Sequence, residues 1–205
     1  MRPLVLAVAL VAVAGCKIEK IPPAGPSSDN FDRATLGDDW NVTGGPWRIE
    51  NGELAIDRAY NHPAWLKKPI PQDAVIELDC WSNSDAGDLK VEVWGDGKSF
   101  ATTPSYTATS YVFIFGGWHN QISAIARMNE HGADRKTRMD VHVVKGQKYH
   151  WRISRKGGHI EWEIDGKPFL SFDDRRPLEG SGHSYFAFND WEAELHFDNL
   201  KITPQ

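Results

Sequence analysis

Residues 111–138 hold the side chains best suited to recognising a small polar ligand. An indole ring offers a flat apolar face to the C–H groups of a sugar, and polar side chains supply the directional hydrogen bonds that sugar hydroxyls require. The ligand-binding candidates in this stretch are Trp118, His119, Asn120, Arg127, Glu130 and His131. The pattern predicts a saccharide site. The alternative is a core tryptophan beside a solvated polar loop.

A second aromatic candidate, Trp191, lies between Asp190 and Glu192, where it interrupts the predicted final hairpin. An indole ring in such a loop either stacks on a ligand or covers the edge of the core. We therefore add Trp191 to the ligand-binding candidates, at the rim of the same cleft.

His119, paired with Glu130 or His131, is the candidate for general acid–base catalysis, because an imidazole exchanges protons near neutral pH. Such a pair would serve a glycoside hydrolase or a polysaccharide lyase. The spacing does not bring these side chains together by itself, so binding without catalysis is the preferred interpretation. The eight histidines show no HxH or HExxH spacing, and we predict no transition-metal site.

Residues 1–15 have the features of a secretory signal peptide: Arg2 precedes a twelve-residue apolar run that ends in small residues before Cys16. The sequence Val13-Ala14-Gly15-Cys16 resembles the bacterial lipobox. That resemblance implies cleavage before Cys16 and lipidation of this residue, with palmitate among the acyl chains. Lys17 in the next position is similar to the signal that sorts lipoproteins to the outer membrane, facing either the periplasm or the surface. The alternative is an ordinary signal peptide with a coincidental cysteine.

Residues 16–29 combine the lipidated cysteine with a Pro-, Ser- and Gly-rich tether, and residues 30–203 read as a single domain without linker or repeat. The net charge of −5 argues against a nucleic-acid partner, so we expect membrane contact only through the N-terminal lipid. With Cys16 lipidated, Cys80 has no disulfide partner. Its alternation with Ile76 and Leu78 predicts a buried thiol on a strand.

Apolar and polar residues alternate with a period of two through most of the domain, which is typical of half-buried strands. The clearest examples are residues 75–81, 89–94, 149–153 and 160–164. Asn51-Gly52 and Asp165-Gly166 predict two-residue hairpin turns. Residues 121–131 fit either a helix or a strand. Nine tryptophans require a large sandwich core or a stacking surface.

Three segments in order, residues 31–54, 149–167 and 197–202, resemble the concanavalin A-like lectin/glucanase superfamily, especially bacterial domains related to laminin-G and 3-keto-disaccharide hydrolase modules. The resemblance implies an all-β fold, a two-sheet antiparallel jelly-roll β-sandwich. It also implies that mid-chain strands line a concave face where a polysaccharide or oligosaccharide binds.

Glucanases of this superfamily carry the strand motif Glu-x-Asp-x-x-Glu, in which one Glu is the nucleophile and the other the acid/base. The closest window here has Glu77 and Asp79 but Ser82 in place of the second Glu, and a serine cannot protonate a glycosidic oxygen. Related jelly rolls often hold a structural calcium ion near the chain ends. Asp32 and Asp198 are the candidate ligands, and we predict no other cofactor.

The sequence therefore predicts a lipid-anchored protein of the bacterial cell envelope with a carbohydrate-binding domain. A glycan-cleaving enzyme of the 3-keto-disaccharide hydrolase type is the first alternative. A structural envelope lipoprotein without a ligand is the second.

Overall fold

The structure is a computed structural model that describes residues 23–103 and 105–205, and these residues fold almost entirely as strands. The predicted signal peptide, Cys16 and the tether as far as residue 22 lie outside the described residues. Within the described ranges, no helix has the length and apolar character needed to cross a bilayer.

Eight antiparallel strands form one sheet, sheet A. They are β1 (Ser27–Asp29), β3 (Arg48–Glu50), β4 (Glu53–Asp57), β6 (Ala74–Ser82), β11 (Tyr149–Lys156), β12 (His159–Ile164), β13 (Lys167–Asp173) and β15 (Glu194–Pro204). Their order is β13-β12-β11-β6-β15-β4-β3, and β1 pairs with β15. The first and last strands of the domain are therefore neighbours.

Seven antiparallel strands form the second sheet, sheet B. They are β2 (Trp40–Val42), β5 (Ala64–Leu66), β7 (Leu89–Gly95), β8 (Tyr111–Gly116), β9 (Ile122–Arg127), β10 (Lys136–Arg138) and β14 (Tyr185–Asn189). Their order is β10-β9-β8-β7-β14-β5-β2. The predicted two-sheet antiparallel β-sandwich is confirmed.

The core lies between the sheets, because alternate residues of each strand point inward. Ile76, Leu78 and Cys80 of β6 belong to the same buried cluster as Val91 and Val93 of β7. Burial raises the pKa of the Cys80 thiol well above its usual value, and the nearby carboxylates add to the effect. The predicted burial of this thiol is confirmed.

Six of the nine tryptophans are buried, which satisfies the expectation of a large aromatic core. Trp151 and Trp162 pack edge to face, with ring centroids 4.5 Å apart. The other three, Trp47, Trp118 and Trp191, are half-buried. Those three are the indoles available to a stacking surface.

The two predicted hairpin turns are confirmed. Asn51-Gly52 joins β3 to β4, and Asp165-Gly166 joins β12 to β13. All four residues have positive φ, as two-residue turns of this kind require. In the ambiguous stretch 121–131, residues 122–127 form strand β9, which pairs with β8, so that Ile125 faces the core and Ala126 faces outward.

Candidate functional site

A left-handed turn at Gly117–Asn120 connects β8 to β9 and presents the first candidate side chains. Trp118, His119 and Asn120 all have positive φ, between 52° and 63°. Three consecutive non-glycine residues in this region are costly, and such strain is concentrated at functional sites. At Gly116 a Cβ atom would lie 2.7 Å from Cγ2 of Val143, so only glycine fits at the start of the turn.

Trp118 forms one wall of the site and is half-buried. Its side chain packs against a small apolar cluster on the outer face of sheet B, the face turned away from sheet A. The His131 ring meets it edge to face at 5.6 Å, and the Arg135 guanidinium lies 4.7 Å from its ring centroid. These contacts fix the indole at the surface, where it contributes to a site instead of the main core.

A cavity of about 260 Å³ opens beside Trp118 on the outer face of sheet B. Its lining residues are Asn61, Ala86, Asp88, Lys90, Ile114, Trp118, His119, Glu130, His131, Trp191 and Glu192. We call this cavity the outer pocket. Five of the seven predicted ligand-binding residues line it: Trp118, His119, Glu130, His131 and Trp191.

A buried lysine lies at the floor of the outer pocket. Lys90 on β7 is 2% exposed, and its Nζ lies 3.2 Å from Oε2 of Glu130 and 3.1 Å from Oδ1 of Asn61. Burial alone would lower the pKa of Lys90, but the charges of Asp88, Glu130 and Asp190 outweigh it and raise the pKa. The lysine is therefore a fixed ammonium group that neutralises part of an acidic floor.

Two buried aspartates support the pocket from behind. Oδ2 of Asp88 accepts the backbone N–H of Trp191 at 2.9 Å, and Asp190 accepts the backbone N–H groups of Ala59 and Ala193. Burial raises the pKa of Asp88, and burial together with the charge of Asp88 raises the pKa of Asp190 to about 7. These carboxyls hold the loop of Trp191 in place.

The histidines are each near one carboxylate. Nε2 of His131 lies 3.6 Å from Oε1 of Glu130, and Nδ1 of His119 lies 3.9 Å from Oε1 of Glu192. The sequence paired His119 with Glu130 or His131, whereas in the structure Glu130 lies beside His131 and Glu192 lies beside His119. Whether either pair transfers protons stays a prediction.

Two predicted site residues lie outside the outer pocket. Arg127 follows Ile125 on the inward face of β9, and its Nε donates to Oδ2 of Asp174 at 2.8 Å. The Asn120 side chain bonds both backbone polar groups of Val143 at 2.8 Å, so it fastens the left-handed turn. Strand alternation and the turn geometry account for the positions of these two side chains.

Sequence reasoning missed the polar floor of the pocket. Asp88 and Lys90 alternate with buried Leu89 and Val91, a pattern that reads equally well as a solvated strand face. The alternation of the charged residues Asp88, Lys90 and Glu92, from the residue before strand β7 into the strand, was the available signal. Asn61 and Glu192 carry no comparable signal, because they come from distant loops.

The window that comes closest to the glucanase motif, which the sequence argues against as a catalytic site, lies on the other sheet. Glu77 and Asp79 point outward from β6, and Oδ1 of Asp79 lies 2.8 Å from Nδ1 of His150. Neither residue lines the outer pocket. The window is consistent with an ordinary polar strand face.

The predicted calcium ligands belong to neighbouring parts of sheet A, because Asp32 follows β1 and β1 pairs with β15, the strand that carries Asp198. However, within residues 23–103 and 105–205 no group of three or more His, Cys, Asp or Glu side chains could hold a metal ion. Calcium needs about six to eight oxygen ligands, which these two carboxylates do not supply. A calcium site at Asp32 and Asp198 therefore stays a prediction that needs further ligands.

Glu92 continues the polar face of β7 beneath the loop that follows the strand. It is fully buried and accepts hydrogen bonds from Tyr106, Ser110 and Asn189, the last two at 2.6 and 2.7 Å. Burial raises the pKa of this carboxyl from its ordinary 4.5 to about 7, although those hydrogen bonds oppose the rise. Glu92 is thus a buried acid whose ionisation weakens the fold.

We expect Glu92→Gln to flatten the pH dependence of stability. A raised native pKa gives a stabilising contribution that is complete below 4.5 and is lost as the pH rises through about 7. Between about pH 5 and pH 8, urea unfolding should show that the wild type loses on the order of 1–3 kcal/mol more stability than the variant does. Because Asp190 titrates in both proteins, the difference between their two stability changes reports the contribution of Glu92 alone. Equal slopes would contradict the assignment.

Known proteins identify the family and the fold. A sequence profile described as Farnesoic acid 0-methyl transferase matches residues 81–201, more than half of the chain. The chain belongs to this family. No curated protein sequence matches the chain.

Solved structures of similar fold include carbohydrate-binding module CBM66 from Bacillus subtilis, with a TM-score of 0.61 and 15% identity over 83% of this chain and 96% of that chain. The Bacillus licheniformis β-glucanase gives a TM-score of 0.60 and 12% identity over 90% of this chain and 100% of that chain. A laminarinase from Flavobacterium sp. UMI-01 gives a TM-score of 0.60 and 12% identity over 86% of this chain and 98% of that chain. This member of the farnesoic acid 0-methyl transferase family therefore has the two-sheet antiparallel jelly-roll fold that these structures share.

Proposed function

We propose that this chain is a lipoprotein of the cell envelope whose domain binds an oligosaccharide or polysaccharide in the outer pocket. The observation that carries the proposal is that Trp118 and Trp191 line the same cavity above a floor of buried charged groups. The cavity, at about 260 Å³, is open and not filled by side chains, which disfavours a vestigial cleft.

The pocket chemistry suits a ring that carries hydroxyl groups. The two indoles offer apolar faces to C–H groups, while Asp88, Glu130 and Asn61 offer oxygen acceptors fixed by their bonds to Lys90 and the backbone. Because these acceptors are already ordered in the fold, a ligand does not have to immobilise them on binding. The arrangement favours directional recognition of a polar ring.

The same floor disfavours the activity in the family's name. Farnesoic acid would bring a long apolar chain against Asp88, Lys90 and Glu130, and an apolar ligand cannot replace the water that solvates charged groups. Methyl transfer to such an acid is therefore a weaker account of this pocket than saccharide binding.

A second candidate function is glycoside hydrolysis, favoured by one observation. Asp88 and Glu130 both line the pocket, and burial raises the pKa of Asp88, as a general acid requires. Incubation of concentrated protein with its bound oligosaccharide, followed by measurement of released reducing ends, separates hydrolysis from binding alone.

Titration calorimetry tests the proposal directly. The panel consists of oligosaccharides from laminarin, lichenan, xylan, mannan and chitin, together with the free monosaccharides. Binding of at least one glycan with a stoichiometry of one supports the proposal. Failure of the whole panel to bind contradicts it and returns the structural lipoprotein as the better account.

The membrane anchor has its own test. We expect Cys16→Ser to abolish acyl labelling and to release the protein from the membrane fraction, because stable anchoring depends on two or more acyl chains. Metabolic labelling with a palmitate analogue and fractionation of envelope membranes measure both effects. Cys80→Ser is the matched control and should keep the label. Wild-type protein that carries no label contradicts lipidation.

A further inference from the structure

Tyr60 is an exposed aromatic residue in direct contact with a wall of the outer pocket. Tyr60 is 44% exposed. Its ring packs edge to face against the Trp191 ring, with the ring centroids 5.2 Å apart. Trp191 lines the pocket, whereas Tyr60 does not. The two rings form a continuous aromatic strip that runs from the pocket to the surface.

Neither backbone preference nor packing accounts for a tyrosine here. Tyr60 has a φ of 51°, between Arg58 at 60° and Asn61 at 59°. A bulky residue in this left-handed region is unfavourable, and glycine or asparagine would suit the position better. The side chain is also too exposed to contribute much to the core. Strain of this kind is typical of positions that serve a ligand.

Hydrogen bonds hold the strained loop rigidly against the pocket. The backbone N–H groups of Tyr60 and Asn61 donate to the carbonyl oxygens of Trp191 and Asp190, at 2.9 and 2.8 Å. The N–H of Ala59 donates to the buried carboxylate of Asp190 at 2.9 Å. The Tyr60 ring is therefore already in place before any ligand arrives.

The outer pocket is too small to enclose a ligand longer than one sugar ring, so a longer ligand must also contact the surface beside it. Its volume of about 260 Å³ lies below the range of about 300–1,000 Å³ that encloses drug-sized ligands, so a single sugar ring fills it. The remaining units of an oligosaccharide must lie on the surface beside it. We propose that Tyr60 forms a second sugar-binding position next to the outer pocket, so that the ligand is an oligosaccharide chain instead of a single sugar. This inference rests on the proposed function.

The test uses the full chain and the length series of each glycan in the panel. Tyr60→Asn removes the ring, and asparagine tolerates the left-handed backbone, so the loop keeps its shape. We expect this variant to bind the longer oligosaccharides about tenfold more weakly, which corresponds to about 1.4 kcal/mol. Its affinity for the monosaccharide should not change. Tyr60→Phe, which keeps the ring, should bind as the wild type does.

Phe100 supplies a matched control. It is 42% exposed and lies beside the same loop, but its ring stacks on His62 at 5.4 Å and not on a pocket residue. Phe100→Ala should therefore leave the affinity at every chain length unchanged. Equal affinity of wild type and Tyr60→Asn for the longer oligosaccharides would overturn the second position but leave the pocket proposal standing. Failure of the wild type to bind any glycan would overturn both.

Discussion

We expect Trp118→Ala to weaken saccharide binding by about 10- to 100-fold, the loss that follows removal of an aromatic anchor from a desolvated contact. The indole lines the outer pocket and is held in place by His131 and Arg135. The expected cost in stability is about 1–2 kcal/mol, because only part of the side chain is buried, whereas a core tryptophan costs about 3–5 kcal/mol. Calorimetry and urea unfolding measure the two quantities.

Trp47 is the matched control for this variant. It is also half-buried, but it packs against the main core, and its Nε1 donates to the carbonyl of His62 at 3.0 Å. Trp47→Ala should reduce stability and leave the affinity unchanged. If Trp118→Ala instead lost several kcal/mol of stability while binding stayed intact, Trp118 would be a core residue and the saccharide site would lie elsewhere.

Substitutions of Glu130 and Arg127 test whether saccharide affinity depends on the pocket or on the surface around it. The sequence grouped them as equal candidates, whereas the structure places Glu130 in the pocket and ties Arg127 to Asp174. Glu130→Ala should therefore lose binding together with Trp118→Ala. Arg127→Ala should keep it.

The fold could be predicted because its signals are local. The Asn51-Gly52 and Asp165-Gly166 turns depend on two residues each, and the alternation through residues 75–81 survives as β6. Residues 121–131 were ambiguous, because their mixed apolar and polar composition fits a helix and a strand equally well. Pairing with β8 decided it.

The candidate site could be predicted only in part, because burial of a polar residue depends on its neighbours in space. In the sequence, Lys90 is one charged residue on a strand with alternating polarity. It is buried because Asn61 and Glu130, which belong to distant loops, contact its ammonium group. The position of Arg127 outside the pocket has a simpler cause. Arg127 comes two residues after Ile125 on β9, and side chains alternate along a strand, so both lie on the inward face.

The most direct measurement of the central claim fills the outer pocket without removing any of its recognition groups. Ala86 lines the cavity, while its exposed neighbour Asp85 does not. We expect Ala86→Trp to abolish glycan binding, by about 100-fold or more, since the added indole occupies the space of the sugar ring and removes its contacts together. Asp85→Trp adds the same side chain one residue away and should bind as the wild type does. Equal affinity of Ala86→Trp, Asp85→Trp and wild type for the same glycan would contradict a saccharide site in this pocket.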